Sequence, residues 1–236
     1  MTKLLRPALI ALLALFPLAA LAATAASEAP SPTVAAVKDD APAPVVLSEQ
    51  DRRDLKRIEE YFNALKPLSA KFTQTATQLD GSHGSVTGSF RLWRPGRVRI
   101  DYDAPSKDFI VADGSSIYQW DDAMKQQSQT GIESTLAGFL LKRNLNFSGD
   151  DVTVTKVAHP SPTEMEVTVR SVKDPTAGEL TLVMREVPMS ILGWRVNDAQ
   201  GVVTEVKLTD VDENASFRRS DFVFRNPDFG NNRNQR

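Results

Sequence analysis

The hydrophobic positions of this chain change their spacing several times, and each change predicts an element. An unbroken apolar run occupies Ala8 to Leu21. Positions 27 to 47 then mix Ala, Pro and small polar residues with no period. From Leu55 the spacing becomes helical: Leu55, Ile58, Tyr61, Phe62 and Leu65 share a face, and Pro67 ends the run. Ser48, with the acid Asp51 three residues on, supplies an N-cap signal. This is one amphipathic helix of about four turns.

From Leu68 the period drops to two. Leu68, Ala70 and Phe72 alternate with Ser69, Lys71 and Thr73, and "LDGSHG" follows as a turn. Val86, Gly88, Phe90 and Leu92 make the next apolar face, and Val98, Ile100 and Tyr102 the one after it. Between them the alternation breaks at Arg94-Pro95-Gly96. "DFIVADG" and "SIYQWD" form a further hairpin across Asp113-Gly114. "GIESTLAGFLLKRN" then returns to helical spacing, with Ile132, Leu136, Phe139 and Leu140 on one face and Lys142 and Arg143 at the C-terminal dipole. Leu141 lies off that face. Short alternating stretches resume with "DVTVTKVA", "EMEVTVR", "ELTLVMREV", "ILGWRVN", "VVTEVKLTDV" and "FVF". The pattern predicts about eleven strands and two or three helices. Short strands at steady spacing read as an antiparallel barrel or strongly curved sheet, with one wet face and one buried face.

Composition narrows the function. The 236 residues are 41% hydrophobic and 25% charged, as expected of one globular domain with tails. A net charge of −2 argues against a nucleic-acid partner, which calls for a basic excess. The absence of cysteine removes disulfides, thiolate nucleophiles, zinc–cysteine sites and a lipid-modified N-terminal cysteine. His83 and His159 sit in turn-like contexts, "DGSHG" and "AHPSP", and read as solvated. No metal or cofactor site is expected from two such residues. Serines are plentiful, but neither histidine stands in a nucleophile-elbow context. Asp101 and Asp103 alternate onto one strand face beside Arg97 and Arg99, where two solvated acids are a simpler reading than a catalytic dyad. No catalytic residue is assigned.

The N-terminus carries an address. Lys3 and Arg6 precede the apolar run, Ala20-Leu21-Ala22 fits a signal-peptidase site, and the run is short for a membrane span. Residues 1–22 are therefore read as a cleavable signal peptide for secretion. Loss of Lys3 and Arg6 with that segment leaves 26 basic against 30 acidic residues, about −4. Residues 23–47 read as a flexible Ala/Pro-rich leader, 48–226 as the folded domain and 227–236 as a polar tail.

The order "FTQ" (Phe72 to Gln74), a gap, "GSFRLWRPGRVRIDYDAP", "IVADGSSIYQWD" and an apolar helix resembles the LolA family, the periplasmic outer-membrane lipoprotein carriers. The resemblance runs from about Asp51 to Phe224, and its most specific part is Gly88 to Asp121. It implies a mainly β fold with an α lid (α+β): an unclosed antiparallel β-barrel of about eleven strands covered by two or three helices. It also implies a carrier of acylated lipoproteins, working as a monomer. Such a carrier takes its cargo from an inner-membrane ABC transporter and gives it to an outer-membrane acceptor or to the membrane itself. The family's functional arginine precedes the proline of this block and matches Arg94, implied to hold the lid shut when the cavity is empty. Where many members carry "FRW" after that turn, this chain has Val98-Arg99-Ile100.

The acyl-chain cavity is expected to be lined by Phe72, Phe90, Leu92, Val98, Ile100 and Tyr102, with Leu136, Phe139 and Leu140 over it. Two other classes stay open at this point. One is a periplasmic lipid-binding sensor or interaction domain on the same fold, and the other is an envelope hydrolase using acids on the barrel face.

Overall fold

The structure, a computed structural model, describes residues 45–228. Helix α1 spans Glu49–Ala64. Its start is a full capping box: the Ser48 hydroxyl accepts from the Asp51 N–H at 3.1 Å, and the Asp51 carboxylate accepts from the Ser48 N–H at 2.7 Å. Leu55, Ile58 and Phe62 are buried along one stripe, as the spacing predicts, and the helix ends ahead of Pro67.

Eleven strands follow: β1 Leu68–Thr77, β2 His83–Trp93, β3 Arg97–Tyr102, β4 Phe109–Asp113, β5 Ser116–Asp121, β6 Gln126–Gly131, β7 Val152–Ser161, β8 Glu164–Ser171, β9 Gly178–Glu186, β10 Met189–Asp198 and β11 Val203–Asp212. They form one antiparallel sheet in the order β6-β5-β4-β3-β2-β1-β11-β10-β9-β8-β7. Two meanders are thus welded where β1 pairs with β11, Phe72 opposite Leu208. β6 and β7 stand at opposite ends of that order, so the sheet is open. The connection between them carries helix α2, Leu136–Leu141.

The strand count matches the expectation, but one member differs. "FVF" is not a strand: Phe222 closes a 3-10 turn, Arg219–Phe222, and Phe224 lies in an irregular segment. The eleventh strand is β6, "QQSQTG", which has no apolar alternation because it is an edge strand exposed along nearly its whole length. His159 also departs from expectation. It lies within β7 rather than in a turn, and it is in contact with two carboxylates.

Alternation sends Leu68, Ala70, Phe72, Gln74 and Ala76 of β1 to the inner face, where they meet the inward residues of every neighbouring strand in one core with α1 and α2. Gly88 permits the close approach of the Phe72 ring and the Asp101 backbone. A Cβ there would stand 2.2 Å from the Asp101 carbonyl oxygen and 2.6 Å from the Phe72 ring.

The outer face is divided. Over β7–β11 it carries a ladder of ion pairs, among them Arg170–Glu179 at 2.9 Å and Arg195–Glu166 at 3.3 Å. Over β2–β5 it carries rings: Phe109, Val111 and Trp120 are buried beneath the C-terminal segment. Phe222 packs on Trp93 and Phe217, and Phe224 on Phe109 and Tyr118.

Candidate functional site: a lidded apolar interior

Seven of the nine residues expected to form the cavity are buried in a single cluster: Phe72, Phe90, Leu92, Ile100, Tyr102, Leu136 and Phe139. Val98 and Leu140 are half-buried and pack against it. The helical phase differs from the one expected, because Leu141 is buried and Leu140 less so. The cause is local. A 3-10 turn at Ile132–Ser134 ends in extended backbone at Thr135, whose hydroxyl then caps a new, short helix by accepting from the Gly138 N–H at 3.0 Å.

The other half of the cluster comes from Met165, Val167, Leu182, Met184, Trp194 and Leu208. Their period-two spacing was visible in sequence, but only the topology shows that they face the same interior. Phe72 meets Tyr102 edge-on at 5.5 Å between centroids, and Phe90 meets Trp194 at 5.3 Å. One polar pair interrupts this surface: the Tyr102 hydroxyl donates to Gln74 Oε1 at 3.1 Å, and burial pushes the phenol's pKa above its usual value.

Over this face lie α1 and the segment from α2 to Phe147, tied to each other. The Asn63 side chain donates to the Leu145 carbonyl at 3.1 Å and accepts from the Leu145 N–H at 2.8 Å. Glu59 Oε1 accepts from the Phe147 N–H at 2.7 Å. Tyr61 spans a split in the sheet: its hydroxyl donates to Glu213 Oε1 at 2.6 Å and accepts from the Ile191 N–H at 3.2 Å. There the β10–β11 pairing stops at Gly193–Lys207, and a cleft of about 710 Å³ opens, lined by Met189, Ile191 and Leu208 among others.

Arg94 sits where β2 ends and is half-buried. One guanidinium nitrogen donates to the Phe62 carbonyl in the last turn of α1, and the other to the Lys142 carbonyl just past α2, at 2.5 Å. The next-but-one residue of the same turn adds a third tie, the Gly96 N–H donating to the Leu141 carbonyl at 2.9 Å. Gly96 has φ +76°, a left-handed conformation that suits glycine. These carbonyls belong to helix ends, where acceptors lack intrahelical partners and the dipole is negative, so a cation is well matched to them. Burial pulls the guanidinium down to about 10, which leaves it charged at neutral pH. Arg94 Nε is buried without a partner.

The acids weighed earlier form no dyad. Asp101 is held by Arg99, with oxygen–nitrogen distances of 2.6 to 2.9 Å, whereas Asp103 is exposed beyond the end of β3 and accepts from Thr87 at 2.6 Å. Among the described residues no three His, Asp or Glu side chains are grouped to hold a metal, and no helix is long and apolar enough to cross a membrane.

An open antiparallel sheet, apolar within and covered by helices that a few polar bonds retain, defines a lidded, mainly β fold of the α+β class. Residues 63–225 match the family described as outer membrane lipoprotein carrier protein LolA, and the chain belongs to that family. An outer-membrane lipoprotein carrier protein of Legionella pneumophila (strain Corby) is 27% identical over 175 residues, covering 72% of this chain and 84% of that one. That of Azotobacter vinelandii is 24% identical over 187 residues, 77% of this chain and 88% of the other. Among solved structures, the LolA superfamily protein NE2245 of Nitrosomonas europaea aligns with a TM-score of 0.45 at 12% identity, over 73% of this chain and 97% of that one.

Proposed function

We propose that this protein carries acylated lipoproteins through the periplasm, shielding their acyl chains against the inner face of the sheet, with Arg94 as a latch on the closed lid. The observation that carries the reading is Arg94's simultaneous grip on the carbonyls of Phe62 and Lys142, one from each lid element. Two acyl chains of roughly 30 methylenes together would cost about 24 kcal/mol to leave in water, at about 0.8 kcal/mol each. A carrier must hide that area and still let it go. The side chains of this interior are buried against one another in the closed form, so in this reading loading means lifting α1 and replacing its apolar stripe with cargo. Phe72, Phe90, Leu92, Val98, Ile100 and Tyr102 would then line the hollow, with Leu136, Phe139 and Leu140 above.

The donor in this reading is an inner-membrane lipoprotein-releasing ABC transporter, and the recipient an outer-membrane acceptor or the membrane itself. The mature monomer would begin near Ala23; the signal peptide, most of the leader and the tail lie outside the described residues. The test is Arg94→Leu. A charge-assisted hydrogen bond is worth roughly 1.5 to 3 kcal/mol net, little against the acyl contribution. The variant is expected to fold, to hold cargo more tightly and to accumulate loaded in the periplasm, with transfer to the outer membrane lost. Arg97→Leu and Arg99→Leu, whose side chains lie on the outer face over Trp93 and Phe109, are the controls and should transfer cargo nearly normally. If all three transfer at the parent rate, or Arg94→Leu merely unfolds, Arg94 is structural.

A further inference from the structure

Only Leu65, Lys66 and Pro67 join α1 to β1, so the C-terminal end of this helix cannot travel far when the lid lifts. Its N-terminal end must do the moving. With a rise of about 1.5 Å per residue, Phe62 lies roughly 5 Å from a pivot at Leu65, and Asp54 roughly 16 Å. A rotation that shifts Phe62 by about 1 Å shifts Asp54 by about 3 Å. Arg94 therefore grips the helix beside its pivot, where a bond stretches least.

At the far end stands a different arrangement. The Asp54 carboxylate is completely buried, in the same stripe as Leu55 and Ile58. Its Oδ1 accepts from Arg57 at 3.0 Å, and its Oδ2 accepts from Gln50 at 2.9 Å and lies 3.4 Å from His159 Nε2. The other ring nitrogen, His159 Nδ1, lies 2.8 Å from Glu186 Oε1. Arg57 closes the ring: it donates to the Glu186 carbonyl oxygen at 2.9 Å and approaches the Glu186 carboxylate at 3.4 Å. A neutral imidazole carries one N–H and an imidazolium two, so the charged form bonds both carboxylates at once.

We infer that Asp54 and Arg57 of α1, with His159 of β7 and Glu186 of β9, form a second clasp that holds the swinging end of the lid. This clasp must part before the interior is exposed. It fastens α1 to the half of the sheet opposite Arg94, so the helix is pinned on both sides of the opening. Charge suits a fastening that has to release. Desolvation of the buried Asp54 carboxylate offsets part of its attraction to the part-exposed Arg57 and His159, so the clasp adds specific geometry at little net gain in free energy. The purpose assigned to the clasp rests on the carrier reading; its existence as the fastening of the moving end does not.

Site-resolved amide hydrogen exchange tests it on the full mature chain. Asp54→Asn and His159→Ala should each speed exchange at residues 53–58 about tenfold, with β1 and β11 unchanged. Glu186→Gln, which preserves shape, should act in the same direction. Because the groups work as one unit, the double variant Asp54→Asn/His159→Ala should exchange about as fast as the faster single variant. Unchanged exchange in α1, an equal rise throughout the sheet, or simple multiplication of the two effects would overturn the clasp. Uptake of the apolar fluorophore N-phenyl-1-naphthylamine by the parent protein is measured in parallel and decides the carrier reading separately.

Discussion

Two segments cover apolar surfaces of this one sheet, and they are fastened by opposite means. Inside, α1 and the α2 connection are held at their margins by polar bonds, from Arg94, Asn63, Glu59 and Tyr61. Outside, residues 217–224 cross β2–β5 on rings, with Phe222 against Trp93 and Phe224 against Phe109 and Tyr118. The difference bears on motion. A polar bond that opens is replaced by one to water, so each is worth only about 0.5 to 1.5 kcal/mol net, or roughly 1.5 to 3 where one partner is charged. A ring lifted into water forfeits its whole buried area, with nothing to replace it. The inner cover also buries an apolar stripe, whose place acyl chains would take on the carrier reading proposed above. No such substitute is proposed for the outer cover, which is expected to stay closed.

The largest expected effect breaks the outer cover. Phe222 is 1% exposed. Phe222→Ala should cost roughly 3 to 5 kcal/mol of global stability, read as a lower urea midpoint, in line with other buried Phe truncations. Exchange in α1 relative to the sheet should not change. A Phe222→Ala protein of parent stability would show that the ring-packed segment is as detachable as the lid, and the contrast would fail.

A smaller effect lies at the inner cover. Tyr61→Phe keeps the ring against Phe62, at 5.2 Å, and removes the hydroxyl shared between Glu213 and the Ile191 N–H. Burial and the Glu213 bond hold this phenol protonated well above its usual range, so it is a donor at any ordinary pH. The loss should be about 1 to 1.5 kcal/mol, confined to α1 exchange and scarcely visible in the urea midpoint. A global loss as large as that of Phe222→Ala would place the lid within the cooperative core rather than on top of it.

How much of this could be read from sequence followed from how regular each surface is. Strands with one buried face announced themselves through alternation, and the Arg94-Pro95-Gly96 break stood out because it interrupts that alternation. β6 was illegible because an exposed edge strand has no apolar face to show. "FVF" misled for the converse reason, since its rings pack on the outside of a sheet without pairing to it. The role proposed for Arg94 rests on family resemblance; nothing local reveals that its partners are carbonyls 32 and 48 residues away. The clasp was hidden because His159 and Glu186 come from strands more than 100 residues beyond Asp54. One signal was present, a carboxylate set within the helical apolar stripe beside Leu55 and Ile58.

The smallest effect concerns the cap at the moving end of α1. The Ser48 hydroxyl bond, and then the Ser48 backbone N–H, hold the Asp51 carboxyl below its ordinary value of 3.8. The sign follows from linkage. A carboxyl whose folded value is depressed contributes fully above its ordinary value and loses that contribution as pH falls through the lowered one. Protection of the first turn, normalised to intrinsic exchange rates, should therefore weaken as pH falls past the ordinary value of 3.8 and on through the lowered one. Ser48→Ala should remove about 0.5 to 1 kcal/mol from the helix end and most of that pH dependence with it. The outer segment should ignore both changes. If protection at 217–224 fell in step with α1 on acidification, the two covers would open together, and their separate fastenings would not make them independent.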